Sequence, residues 1–140
     1  MIHVINGANL NLLGKREPEV YGARTLSDLM SELATFAKKN NIETDFFQSN
    51  HEGAIIDYIQ QFEPGTKIII NPGALAHTSI ALRDCISGTQ VNAVEVHISN
   101  IYAREDFRHF SYLSGVCKGV ISGLGTECYK MALLYLSERY

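Results

Sequence analysis

Short apolar runs and helical stripes alternate along this chain, with turn residues between them. Ile2–Asn6 reads as a first strand. From Thr25 the apolar residues Leu26, Leu29, Met30, Leu33 and Phe36 recur at helical spacing, and Lys38, Lys39 and Asn40 suit the carboxyl end of that helix. Glu43–Gln48 is the next strand candidate. Ser49 and Glu52 have the Ser-x-x-Glu form of a capping box, and Ile55, Ile56, Ile59 and Phe62 follow as a buried stripe until Pro64 and Gly65 stop the helix. Lys67–Asn71 is short and continuously apolar, as a strand buried on both faces of a parallel sheet should be. Pro72 and Gly73 lead into a helix from about Thr78 to Ile86. Val91–Ser99 and Gly119–Ser122 predict a fourth and fifth strand, and a last helix runs from about Thr126 to Glu138.

Strict alternation of strands and helices predicts an α/β fold: a flavodoxin-like, five-stranded parallel sheet with helices on both faces, joined by right-handed crossovers. At 140 residues the chain makes one domain, residues 1–140. Ligands of such sheets bind beyond the carboxyl ends of the strands, where the strand order reverses. That rule selects Asn6 to Asn9, Ser49 to Glu52, Asn71 to His77 and Glu95 to Ser99.

The connection between the first strand and the first helix breaks the pattern. It spans about residues 7–24, whereas such loops usually hold about 2–6 residues, and excess of this kind is usually functional or disordered. Its leucines, valine, arginine and tyrosine do not resemble a charged, Ser-rich linker. It has the form of a lid that brings Asn9, Arg16 and Tyr21 over a pocket.

Composition narrows the classes. A hydrophobic share of 46% with 19% charged residues excludes an intrinsically disordered chain, and a net charge of -3 gives no electrostatic case for nucleic acid. Met1 leads straight into a strand pattern without the basic region of a signal peptide, and no apolar run approaches the roughly 20 residues of a membrane span. A cytoplasmic location is expected. Cys85, Cys117 and Cys128 lack CxxC spacing and read as small packing residues rather than as a disulfide framework or zinc site.

Chemistry concentrates at the predicted strand ends. Period-two alternation sets Glu95, His97 and Ser99 on one face of the fourth strand and Val94, Val96 and Ile98 on the other. A carboxylate beside an imidazole favours the protonated ring, which suits general-acid work. After the third strand, Asn71 and His77 can hydrogen-bond hydroxyls, while Thr78 and Ser79 read as helix N-caps. His3, His51 and His109 read as structural. Tyr21 can act as a base only when ionised, and its ordinary pKa near 10 leaves little phenolate at neutral pH. One unit of depression needs about 1.4 kcal/mol, and a cation about 4 Å away supplies around 4 kcal/mol at an effective dielectric of 20, so Arg16 suffices as its activator. Arginine is the suitable cation because it keeps its own proton. Gly123 and Gly125 fail as a dinucleotide fingerprint, since Cys128 occupies the third glycine position.

Several long segments resemble the type II 3-dehydroquinate dehydratases, or type II dehydroquinases: NGANLNLLGKREPEVYG at 6–22, FFQSNHEG at 46–53, IINPGALAHTSIALRD at 69–84, VEVHISNIYAREDFRHFSYLS at 94–114 and KGVISGLGTECYKMAL at 118–133. They span nearly the whole chain in order. The resemblance implies cofactor-free dehydration of 3-dehydroquinate to 3-dehydroshikimate in the shikimate pathway, with no metal. It makes Tyr21 the base that removes a proton beside the ketone, Arg16 the lid cation that favours its phenolate, and Asn9 the holder of a water that stabilises the enolate. His97 matches the general acid, with Glu95 as its orienter. The backbone of Ile98 and Ser99 matches the receiver of the substrate carboxylate, while Asn71, His77 and Arg108 match groups that hold the ring's polar substituents.

Asp84 matches a residue that reaches the site from a neighbouring subunit, which implies a homo-oligomer, commonly a dodecamer of four trimers. Ala8 stands where many members have proline, Leu75 and Ala76 where an aromatic and a threonine are frequent, and Cys128 where glycine is frequent. These departures bear on loop entry and pocket rim, not on the reaction. The alternative from another class is a non-enzymatic flavodoxin-like module binding flavin or phosphate. A receiver domain would need an acidic cluster at the first strand and a phosphorylatable Asp at the third, where Asn6, Asn9 and Asn71 stand, and a Schiff-base dehydratase would need a buried lysine, whereas Lys15, Lys67, Lys118 and Lys130 all have surface readings.

Overall fold

Five runs rich in β-branched or aromatic residues form the strands β1 (Ile2–Asn6), β2 (Thr44–Gln48), β3 (Lys67–Asn71), β4 (Asn92–His97) and β5 (Gly119–Ser122). The computed structural model describes residues 1–15, 19 and 23–139. All four pairings are parallel, and the order is β2-β1-β3-β4-β5. This is the flavodoxin-like arrangement, in which the winding reverses between β1 and β3. Asn6 and Asn71 face each other in register at the carboxyl end of that pair.

The helices α1 (Leu26–Lys39), α2 (Glu52–Ile59), α3 (Ile80–Thr89) and α4 (Glu127–Ser137) cover both faces of the sheet. Strand alternation splits the core accordingly. Val4, Ile69, Val94 and Val96 pack with Leu29 and Leu33 of α1 and Leu133 of α4, while Ile5, Ile68, Ile70 and Ala93 pack with Ile55 and Ile59 of α2 and Leu82 and Ile86 of α3. Cys85 and Cys128 are buried in these clusters, and burial pushes the thiols of Cys117 and Cys128 up to about 12. Their reading as packing residues holds.

Helix starts follow local chemistry more than spacing alone predicts. α1 opens on a capping box at Thr25 and Asp28, each side chain accepting the other's backbone N–H at 3.1 and 3.3 Å. The capping box expected of Ser49 and Glu52 does not form. α2 begins at Glu52 with His51 as its N-cap, so Glu52 lies too early to reach back, and Ser49 Oγ instead accepts the His51 N–H at 3.0 Å. A 3-10 turn over Gly73–His77 leads into α3, which starts at Ile80, two residues past the expected Thr78. Ser79 then caps it, its hydroxyl accepting the Leu82 N–H at 2.9 Å. β4 ends at His97, so Ile98 and Ser99 leave the ladder.

Candidate active site

The loops after β1, β3 and β4 enclose a cleft of about 650 Å³, counting its open mouth, and it lies at the carboxyl edge where the winding reverses. Asn9, Asn71, His77, His97, Ser99 and Arg108 line it. All six, drawn from three separate strand ends and the segment after β4, meet in this one cleft. Tyr21 and Arg16 lie outside the described residues, as does Gly22.

Close backbone contact fixes the floor. A Cβ at Gly7 would stand 2.4 Å from the Pro72 carbonyl oxygen, so only glycine lets the turns after β1 and β3 touch. The Gly7 N–H donates to the Asn71 carbonyl at 2.8 Å, which continues the strand pairing into the turn. Asn9 then adopts a left-handed conformation (φ 70°) that asparagine tolerates well. Asn50, within the expected stretch, and Gln48, which lies just before it, hold Asn9 there. The Asn50 side-chain oxygen accepts the Asn9 N–H at 2.9 Å, and Gln48 Nε2 donates to that same oxygen at 3.1 Å and to the Gly7 carbonyl at 3.2 Å. The stretch from Ser49 to Glu52, expected at the site, thus contributes through Asn50 as a support.

Glu95 and His97 point to the same side of β4, as alternation requires, with relative exposures of 0% and 5%. Glu95 Oε2 is hydrogen-bonded to His97 Nε2, and Oε1 accepts from the hydroxyls of Ser111 and Ser114 at 3.1 and 2.7 Å. Burial alone would raise the Glu95 carboxyl, but the hydrogen bond and charge of His97 and the two serine hydroxyls outweigh it and hold the group below its ordinary value. An ionised carboxylate can only accept, so His97 Nε2 carries a proton and Nδ1 is left for a ligand.

Opposite, the His77 ring stacks with that of His97, the planes 21° apart and the centroids 6.2 Å. His77 Nδ1 lies 2.7 Å from the Phe110 carbonyl, so Nδ1 holds the proton and Nε2 is available to a ligand. Arg108 is steadied by Glu105, Nε to Oε2 at 2.5 Å. Arg104, unremarked in the sequence, also lines the cleft.

Ile98 and Ser99 are positioned through their carbonyls. Ile98 accepts the Gly125 N–H at 3.1 Å, and Ser99 accepts the Ser122 hydroxyl at 3.2 Å. Asp84 stands apart from the cleft on α3, its side chain 66% exposed and ion-paired with Arg83 at 3.0 Å. His3 stacks on Phe62 at 4.1 Å and His109 bonds the Arg104 carbonyl at 3.1 Å, both in structural settings.

The long loop has a narrow neck. Gly14 has φ +87°, and a Cβ there would lie 2.7 and 2.8 Å from the carbonyl oxygens of Ala23 and Arg24, so the two ends of the loop meet backbone to backbone. Arg24 fastens the far end to α1 and to the start of α4, through Glu32 at 2.6 Å and the Thr126 hydroxyl at 3.4 Å. Among the described residues no group of three or more His, Cys, Asp or Glu is placed to hold a metal ion, and no helix is long and apolar enough to cross a membrane.

A parallel α/β sheet with a polar cleft at its switch point, lined by an oriented imidazole–carboxylate pair, defines a flavodoxin-like α/β protein equipped for acid–base chemistry on a small polar ligand. A family model described as dehydroquinase class II matches residues 1–137. The chain is 56% identical over 140 residues to the 3-dehydroquinate dehydratase of Acinetobacter baumannii, covering 99% of this chain and 93% of that protein. It is 54% identical over 134 residues to the 3-dehydroquinate dehydratase of Bacillus pumilus, covering 95% and 91%. The crystal structure of type II dehydroquinase from Butyrivibrio crossotus matches with a TM-score of 0.92 at 45% identity, covering 97% of this chain and 96% of that one. This chain belongs to the class II dehydroquinase family.

Proposed function

We propose that the protein is a 3-dehydroquinate dehydratase, a lyase of the shikimate pathway that converts 3-dehydroquinate to 3-dehydroshikimate without a cofactor. Family membership supports the overall reaction. The observation that carries the chemistry is the buried Glu95–His97 pair opening into the same cleft as Asn9, Asn71 and His77.

Elimination beside a ketone requires a base for the carbon-bound proton, a stabilised enolate and an acid for the departing hydroxyl. In this reading the Tyr21 phenolate, favoured by Arg16, takes the proton, and charge moves to the carbonyl oxygen. A water held by Asn9 stabilises that oxyanion. The enolate then collapses, the carbon–oxygen bond breaks on the opposite face, and His97 supplies the proton that lets hydroxide leave as water. Glu95 accepts from His97 Nε2 throughout and keeps the ring aimed. The product is a conjugated enone.

The backbone amides of Ile98 and Ser99 receive the substrate carboxylate in this scheme, and Asn71, His77 and Arg108 hold the ring's polar groups. The exposure of Asp84, away from its own cleft, suits a role in a neighbouring subunit's site. A cytoplasmic homo-oligomer, a dodecamer of four trimers, belongs to the same proposal.

The test follows the ultraviolet absorbance of the enone with parent protein, Tyr21→Phe and His97→Ala. Turnover by the parent and a loss of several orders of magnitude in Tyr21→Phe are expected on the scale of general-base removal, roughly 10²–10⁴-fold or more. Near-parent turnover by Tyr21→Phe would remove the assigned base. A yellow, inert protein would support the flavin-binding alternative instead.

A further inference from the structure

We infer that Tyr129, a wholly buried residue in the first turn of α4, is a positioning residue that anchors Asn71 in the orientation selected by the Gly73 N–H and so, together with that N–H, fixes which polar group Asn71 presents to the substrate. The inference rests on the proposed reaction and deepens it.

The argument is one of donor and acceptor counting. Asn6 and Asn71 end the adjacent parallel strands β1 and β3 and are register partners, with relative exposures of 1% and 3%. The Tyr129 hydroxyl rises between them from the core on the α1 and α4 side. It lies 2.6 Å from Asn6 Oδ1 and 2.8 Å from Asn71 Nδ2. Asn71 Oδ1 accepts the Gly73 N–H at 3.2 Å, and Asn6 Nδ2 lies 3.4 Å from the sulfur of Met30.

Only one direction of donation satisfies this chain. The Gly73 N–H can only donate, so the Asn71 oxygen must face it and the Asn71 amide nitrogen must face Tyr129. The hydroxyl has one proton, which then goes to Asn6 Oδ1, and Asn6 turns its amide nitrogen to the Met30 sulfur. Reversing the hydroxyl would flip Asn71 and set its NH₂ against the Gly73 N–H, donor against donor. A buried group left so would cost a hydrogen bond and its desolvation. Asn71 therefore keeps one N–H free of Tyr129, and it offers the cleft a donor suited to a substrate oxygen.

Burial pushes the Tyr129 phenol well above its ordinary value, so the hydroxyl keeps its proton across the working pH range and the orientation does not switch.

Removing the hydroxyl in Tyr129→Phe is expected to raise KM for 3-dehydroquinate about tenfold, the size of one lost hydrogen bond, while kcat changes less than about threefold. In Tyr129→Phe/Asn71→Ala, KM should equal that of Asn71→Ala alone, because Tyr129 acts only through Asn71. Asn6→Leu, which removes the hydroxyl's acceptor and keeps Tyr129, should raise KM in the same way and serves if Tyr129→Phe does not fold. Amide-exchange NMR reads the orientation without turnover: the Gly73 N–H should lose protection in Tyr129→Phe or Asn6→Leu. Unchanged KM with unchanged Gly73 protection, or KM effects that multiply in the double variant, would overturn the inference. A parent protein inactive toward 3-dehydroquinate would defeat the proposed reaction itself, and the Gly73 measurement would still decide the positioning claim.

Discussion

On one face of the sheet an ionised Glu95 is hydrogen-bonded to His97, Ser111 and Ser114; on the other, neutral Asn6, Tyr129 and Asn71 share protons in a fixed direction. Both networks are buried and both end at the same cleft. They differ in charge, and in the proposed reaction they differ in task. Burying an ionised group is costly unless it is paired and well hydrogen-bonded, and Glu95 has three such partners. In the proposed reaction that cost falls where a proton moves, between His97 and the leaving hydroxyl. Where a side chain need only be held still, neutral partners suffice and carry no dependence on pH.

Breaking the charged side should have the largest effect. His97→Ala removes the proposed acid, and kcat should fall about 10²–10⁴-fold with the far-ultraviolet circular dichroism unchanged. Glu95→Gln keeps the shape and loses the charge, so kcat should fall about 10–100-fold, as for the partner of an oriented histidine.

The same variant sharpens the contrast through pH. The Glu95 carboxyl sits below its ordinary value of 4.5 in the folded protein, so its ionised form stabilises the fold fully above that pH. The contribution disappears as pH falls through the lower folded value. Urea midpoints should therefore show a gap between parent and Glu95→Gln that is widest at neutral pH and closes below about pH 4.5. Tyr129→Phe should cost about 1–3 kcal/mol, from two polar atoms left without their partner, and that gap should stay constant between about pH 4 and 8. A pH-dependent gap in Tyr129→Phe would break the distinction between the two networks.

Smaller effects test the frame around them. Gly14→Ala should cost about 1–3 kcal/mol in thermal unfolding and lower turnover, because a side chain at φ +87° meets the backbone of Ala23 and Arg24 at the neck of the loop. Ser79→Ala, which touches neither network, should cost only about 1 kcal/mol and leave KM unchanged, since it removes one helix cap.

Much of this was legible in the residues. Alternation along β4 placed Glu95 and His97 together, and the switch-point rule gathered Asn9, Asn71, His77 and Ser99 at one edge. Local signals failed where two local solutions competed. Ser49 and Glu52 carry a capping-box pattern, yet the helix begins at Glu52 and the hydroxyl closes a shorter turn. Between Pro72 and the helix expected from about Thr78, no period marked the 3-10 turn over Gly73–His77 that carries His77 to the cleft.

The sequence by itself determined the strand and helix periods, the face on which each polar residue of β4 would lie, and the family, because these depend on spacing within short stretches. Only the tertiary structure decided which distant groups complete the networks. Tyr129 lies 123 residues from Asn6 and 58 from Asn71, and Asn50 lies 41 from Asn9. No local period encodes such partners. They meet because parallel strands connected by crossovers bring their carboxyl ends to one edge, and buried polar groups there must find hydrogen bonds among whatever side chains the fold delivers.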